Sequence, residues 1–426
     1  MAGPIRVGAC SVGGRGVFST ASVGAGDQVL RLPLRLLLTA GAVRQRDARV
    51  DAALAPLGLD GASQLAVALL HERRKGEASF WSPYLRVLPE QYDTLCLWSP
   101  DDAQQLQLPH AVRAAELARQ SCLQRWRHAL PALTALGLDG SQEDWQWACA
   151  TISSRTVHTP ADGGGGLAPL GDLFNFCEIP AAAGGAAAAE QEGEKEGAAP
   201  GEEGRVAAAR KLADGWAGDG GVEADSYVFR AWRSYSAGEQ ILLCYGALSQ
   251  IALLEHYGFA LPRNAHDRVP VPPEALHPGG GGQHGGGEET ELYLGADGMP
   301  SWRLLAALRL AALPSGERKQ HGHTAAGGGA VSAQNEAIAL GRLLKLAEAL
   351  LAGLPTRAAQ DEAATKQPGL SDRMRLALVY RLGQKRIIEA CACWCGARIA
   401  QLRAQLASSS GPVLVHPRGG GARRLR

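Results

Sequence analysis

Ala237-Gly238-Glu239-Gln240-Ile241-Leu242-Leu243-Cys244-Tyr245-Gly246 reads as a turn feeding a short apolar strand that ends on a tyrosine before a glycine. Leu254-Glu255-His256-Tyr257-Gly258-Phe259 follows within a few residues. A single tyrosine at a strand end is ordinarily core packing. The stretch becomes informative only together with three segments upstream of it.

Each of those segments is built like a ligand-contact turn. Pro169-Leu170-Gly171-Asp172-Leu173-Phe174-Asn175-Phe176 sets one Asp and one Asn in an apolar turn, where buried polar groups must find partners. Helix capping by either residue is the open alternative. Ser153-Ser154-Arg155 closes a helical stretch with an Arg that can grip a carboxylate through two hydrogen bonds, or simply face solvent. Gly14-Arg15-Gly16 lets a ligand approach the backbone closely, although Gly-rich turns are common.

Around these segments the chain changes character several times. Residues 5–39 read as short strands and turns, with a strand at 28–32. From about residue 40 to 155 the pattern is helical, with Leu65, Leu69 and Leu70 at helical spacing, and likewise Ala114, Leu117, Ala118 and Cys122. Strand character returns at 167–173, 227–232 and 240–244. Residues 181–221, rich in Ala, Gly and Glu, read as a disordered surface insertion, and 271–290 as a Gly-rich linker. Beyond residue 300, apolar faces at 304–313, 338–351 and 376–395 predict helices, with Pro314 and Gly353 as stop signals. The expected organisation is a β-containing body over 1–270 holding a helical insert at about 40–150, then an all-helical domain over 291–405 and a flexible tail over 406–426. The fold class is α+β.

Composition narrows the partners. The chain has 426 residues, enough for two or three domains with a substantial core. Its 43 Lys+Arg and 42 Asp+Glu leave a formal charge of +1, so there is no general attraction to nucleic acid or to an anionic membrane. Apolar residues make up 46%, which excludes wholesale disorder. No apolar run reaches the roughly 18 residues needed to span a bilayer. Nine cysteines without a CxxC pair fit free thiols in a reducing compartment. Cys391 and Cys395 share a helix face while Cys393 does not, which reads as packing rather than a metal site. The N-terminal MAGPIRVGACSVGG has neither the apolar core of a signal peptide nor a long transit segment. Cytosol or nucleus is the expectation, with chloroplast the alternative if the gene starts upstream of Met1.

Taken in order, these segments resemble the SET-domain methyltransferases of the Rubisco large-subunit methyltransferase type, which include the actin histidine methyltransferase. GRGVFST with GDQVLRLPLRLLLT resembles the first SET block, and Phe80-Trp81-Ser82-Pro83-Tyr84-Leu85-Arg86-Val87-Leu88-Pro89 resembles the helical insert. Ser154-Arg155, GDLFN and GEQILLCYG with LLEHYGF resemble the second block. Residues 292–302 and the helical region after them resemble the family's substrate-binding domain.

The resemblance implies a SET-domain β-sheet fold and transfer of a methyl group from S-adenosyl-L-methionine to a protein side chain, with no metal. By position, the backbone at Gly14, Arg15 and Gly16 would hold the methionine end of the cofactor and Arg155 its carboxylate. Asn175 would bind polar groups of the cofactor, and backbone at Phe176 would meet the adenine. Asp172 and Tyr257 would shape the substrate side, and Tyr245 would be the catalytic tyrosine. Rubisco-type relatives carry His where this chain has Phe176, a change that a backbone contact would tolerate. The expected activity is lysine methylation of a non-histone protein. Histidine methylation is the alternative within enzymes, and a catalytically inactive SET scaffold binding a protein partner is the alternative outside them.

Overall fold

The computed structural model describes residues 3–10, 14–160, 162–177, 220–273 and 292–409. Most of the insertion read at 181–221, of the linker read at 271–290 and of the tail read at 406–426 lies outside them. The chain divides into two compact units, residues 1–267 with 358–383, and residues 268–357 with 384–426.

The first unit opens with strands β1 (Ile5–Cys10), β2 (Gly14–Ser19) and β3 (Gln28–Pro33). β2 buries Val17 and Ser19 on one face, the alternation expected of a half-buried strand. The helical insert follows as α1 (Ala40–Arg46), α2 (Ala48–Leu54), α3 (Gly61–Arg74), α4 (Ser82–Leu85), α5 (Pro100–Gln104), α6 (Pro109–Ala135) and α7 (Gln142–Arg155). Thr39, Asp60 and Ser141 cap α1, α3 and α7 by accepting backbone N–H groups that the first turn leaves unpaired. The apolar stripe of α3 closes the insert's own core, with Leu65, Leu69, Trp145 and Leu133 fully buried.

Strands β4 (Thr156–Thr159), β5 (Asp162–Leu167), β6 (Asn175–Phe176), β7 (Gly220–Glu223), β8 (Ser226–Arg230) and β9 (Gln240–Leu243) complete the body, with α8 (Gln250–Tyr257) after them. Three small sheets result: β1-β2-β9-β6, β3-β8-β7 and the β4-β5 hairpin. Pairing is antiparallel except β6 with β9, where Asn175 lies opposite Leu242 and Phe176 opposite Leu243. This parallel pairing sets the 170–176 turn beside the strand that leads to Tyr245.

Two expectations change here. The strand read over 167–173 ends at Leu167 and gives way to a turn, because Pro169 cannot donate to a ladder and Leu170 takes φ +68. The insertion read as ending at 221 gives way earlier to a strand: Gly220–Glu223 pairs with β8.

Within the insert, Asp47 caps α2 and also meets Arg49 at 2.9 Å and His71 at 2.9 Å. The Arg49 guanidinium, then His71, hold its carboxyl well below the usual carboxylate range. A depressed folded-state pKa means stability that is present above the unfolded value of about 3.9 and is lost as pH falls below it. The melting-temperature gap between wild type and Asp47→Asn should therefore be full at neutral pH and shrink below about pH 4. A gap that persists undiminished at pH 3 contradicts this.

The second unit begins with a two-stranded ladder, β10 (Arg268–Pro270) with β11 (Tyr293–Gly295), so the region read as all-helical carries a small sheet. Helices α9 (Trp302–Ala312), α10 (Arg318–Ala326) and α11 (Ala333–Ala352) follow. Ser332 caps α11 and Gly353 ends it. α10 has no apolar period and buries Ala325 alone, so hydrophobic patterning does not reveal it. Arg309 on α9 and Glu336 on α11 form a nearly buried ion pair at 2.6 Å.

The continuous domain read over 291–405 is divided. α12 (Ala358–Ala364) and the start of α13 (Asp372–Ser409) belong to the first unit. Polar anchors account for this: Arg381 pairs with buried Asp361 at 2.8 Å and donates to the Gln105 carbonyl at 3.0 Å, and Arg373 reaches Asp102 at 3.0 Å. α13 runs through Gly383 and Gly396 without breaking, since packing outweighs the roughly 1 kcal/mol helix penalty of each glycine. Cys391 and Cys395 are buried on one face of α13 and Cys393 is exposed. No helix among the described residues is long and apolar enough to cross a membrane.

Candidate functional site

The site is organised around the turn at 170–176. Gly171 lies so close to Phe229 that a Cβ would sit 2.4 Å from the ring, and this approach seats the turn on the body's core. Asp172, next along, is 2% exposed in its side chain, and burial pushes its carboxyl above the usual range. It is not left alone. Arg155, the last residue of α7, meets its Oδ2 at 2.9 Å and its carbonyl at 3.2 Å. Tyr84, on α4, donates to the same Oδ2 at 3.0 Å. Among the described residues the buried Arg155 Nε meets no hydrogen-bond partner, and the Tyr92 ring lies 6.0 Å from the guanidinium.

Two residues further, Phe174 turns its carbonyl to the Tyr245 hydroxyl, which donates to it at 2.5 Å. Burial raises the Tyr245 pKa, so the phenol stays protonated and remains a donor. Asn175 extends the other way: its Nδ2 donates to the Arg15 carbonyl on β2 at 3.0 Å. Beside it, Gly16 has no room for a side chain, since a Cβ would fall 2.3 Å from Gln240 Nε2 and 3.1 Å from Asn175 Nδ2. Gly14 adopts φ +75, a left-handed conformation that glycine takes without strain. Arg15 itself reaches across to the Val87 carbonyl at 2.5 Å.

Next to this backbone cradle stands a cluster of four aromatic rings. Tyr245 and Tyr257 stack at 4.8 Å, Phe176 meets Tyr245 edge-on at 5.4 Å, and Phe259 lies 5.5 Å from Phe176. Gly258 makes the close placement of Tyr257 and Phe259 feasible: it ends α8 at φ +73, with the backbone of Asp93 and Thr94 only 2.8 Å from where a Cβ would be.

All nine residues singled out in the sequence thus fall around one turn: Gly14, Arg15, Gly16 and Asn175 at the cradle, Arg155 and Asp172 in the ion pair, and Phe176, Tyr245 and Tyr257 in the aromatic cluster. Tyr84, Gln240 and Phe259 were not among them. The need of a buried Asp172 for donors is the signal that pointed to a residue such as Tyr84. Nothing in the local pattern said which one.

Protein SET DOMAIN GROUP 40 of Arabidopsis thaliana is 34% identical to this chain over 359 residues, covering 82% of this chain and 70% of its own length. The chain belongs to the SET-domain family of S-adenosylmethionine-dependent methyltransferases. A second family, described as Rubisco LSMT substrate-binding, matches residues 282–388. The actin-histidine N-methyltransferase of Homo sapiens is 26% identical over 425 residues, and the match covers 88% of this chain and 63% of that relative. Among solved structures, Rubisco LSMT bound to AdoMet shares the fold with a TM-score of 0.64 at 20% identity, over 98% of this chain and 93% of that one.

Proposed function

We propose that this SET-domain protein is a protein-lysine N-methyltransferase acting on a non-histone protein. The observation that carries the reading is the Tyr245 hydroxyl pinned to the Phe174 carbonyl inside the aromatic cluster, on the turn whose Asn175 bonds the β2 backbone.

The residues present fit S-adenosylmethionine. Gly14 leaves the β2 backbone open to close approach, Gly16 is packed against Gln240 and Asn175, and Asn175 fixes the Arg15 carbonyl at the cradle's edge. The buried, unpartnered Arg155 Nε and Gln240 Nε2 are donors suited to a ligand's polar groups. When bound, the cofactor supplies an electrophilic methyl group on a sulfonium. The chain's own task is alignment, which is the main lever on an in-line displacement.

Because its hydrogen is committed to Phe174, the Tyr245 oxygen presents lone pairs, which accept an N–H from the incoming amine and turn the nitrogen lone pair toward the methyl group. A lysine has a reference pKa of about 10.4 and must enter neutral; the apolar faces of Phe176, Phe259 and Tyr257 favour that form. They also pack the lysine's aliphatic stem. The match of residues 282–388 to a substrate-binding family supports a protein as substrate. Histidine as acceptor is the second reading, favoured by the actin-histidine N-methyltransferase relatives.

Calorimetric titration should show saturable S-adenosylmethionine binding, weakened about tenfold in Asn175→Ala, which frees the Arg15 carbonyl. Labelled methyl groups transferred to protein and released by acid hydrolysis should then appear as methyl-lysine. Methyl-histidine would replace the lysine reading with the second one. Tight cofactor binding without transfer to any protein would leave a scaffold.

A further inference from the structure

We propose that Tyr84 is a positioning residue for the transfer step, acting through Asp172 on the Phe174 carbonyl that orients Tyr245. The proposal rests on the methyltransferase reading above.

Tyr84 is 6% exposed and its hydroxyl donates to the Asp172 carboxylate, which is also held by Arg155. A buried ion pair costs desolvation and adds little net stability over apolar packing, so its presence here calls for a role in specifying geometry. Leu170 sits at φ +68, ψ −34, a conformation unfavourable for a residue with a branched side chain. Such strain persists only where the surroundings over-determine it. Gly171 is wedged on Phe229, and Asp172 is fixed from two sides by α4 and α7. The chain leaves this clamp and two residues later delivers the carbonyl that Tyr245 binds. Asn175, by contrast, is fixed independently by its pairing with β9 and its bond to Arg15. Loosening the clamp at Tyr84 alone, with Arg155 still on the Asp172 carboxylate and carbonyl, should therefore disturb the tyrosine and spare the cradle at Gly14–Gly16.

Tyr84→Phe tests this, since it deletes one hydroxyl and keeps the ring. The expected result is kcat lowered about tenfold, with the S-adenosylmethionine Kd within about twofold of wild type. In a Tyr245→Phe background the same change should cost less than about twofold, because residues acting through one another are not additive. An unchanged kcat with a lowered melting temperature, or equal losses in both backgrounds, would overturn the proposal and leave Tyr84 structural. A readout independent of turnover comes from protein carrying 13Cζ-labelled tyrosine. The resonance lost in Tyr245→Phe identifies Tyr245, and it should shift in Tyr84→Phe; an unmoved resonance overturns the clamp. If the wild-type protein transfers no methyl group, the methyltransferase reading fails, while the resonance still decides whether Tyr84 positions Tyr245.

Discussion

Tyr245→Phe is expected to lower methyl transfer by about 10²-fold while leaving S-adenosylmethionine affinity within a few-fold of wild type. The ring remains to stack on Tyr257 at 4.8 Å and to meet Phe176, so the aromatic cluster keeps its shape. What goes is one hydroxyl: the donor to the Phe174 carbonyl and the oxygen that would aim an amine. The freed carbonyl adds an unsatisfied acceptor, worth about 1–3 kcal/mol of stability, which a melting curve would register. Single-turnover rates at saturating cofactor make the comparison. A variant that retains most of its activity would remove Tyr245 from the chemistry.

Asp172→Ala should have the largest effect on stability. It strands the Arg155 guanidinium in a buried site and takes the acceptor from Tyr84, and breaking a buried pair from one side costs about 3–5 kcal/mol. For a unit of this size that corresponds to a fall in melting temperature on the order of 10 °C. Removing both charges together, as Arg155→Met with Asp172→Leu, should destabilise less than Asp172→Ala alone, because no lone charge is left behind. Calorimetric melting of the three variants decides it. A loss under about 1 kcal/mol for Asp172→Ala would mean that water already reaches the pair.

The pairing of these two residues also bears on how the site is read. From position along the chain, Arg155 was matched to the cofactor's carboxylate and Asp172 to the substrate side. The structure adds that each is the other's first partner, with Arg155 Nη1 on Asp172 and its Nε unpartnered. Arg155 Nη1 is thus committed to Asp172, whose carboxylate is engaged by two donors.

Local patterning was sufficient for much of the rest. The apolar run ending at Tyr245, the glycines of β2 and the helical spacing through the insert are statements about neighbouring residues, and they were legible as such. Propensity failed where distant groups decide the outcome. Pro169 and Leu170 turn the chain inside the expected strand, α10 forms without an apolar stripe, and α13 passes two glycines.

The sequence by itself determined the α+β class and the order of the segments that carry chemistry, because turn, strand and helix signals act over a few residues; the roles expected of the nine residues came from the resemblance of those segments to the SET family. Only the tertiary structure decided which of those residues touch. The Tyr84–Asp172–Arg155 clamp joins positions 84, 155 and 172, and the Tyr245–Phe174 bond joins the residues flanking two strands that pair in parallel. Residues 358–383 join the first unit for the same reason, through ion pairs to Asp93 and Asp102 about 280 and 271 positions away. Partners so far apart leave no mark on local periodicity, since burial and hydrogen-bond geometry choose them after the chain has folded back on itself.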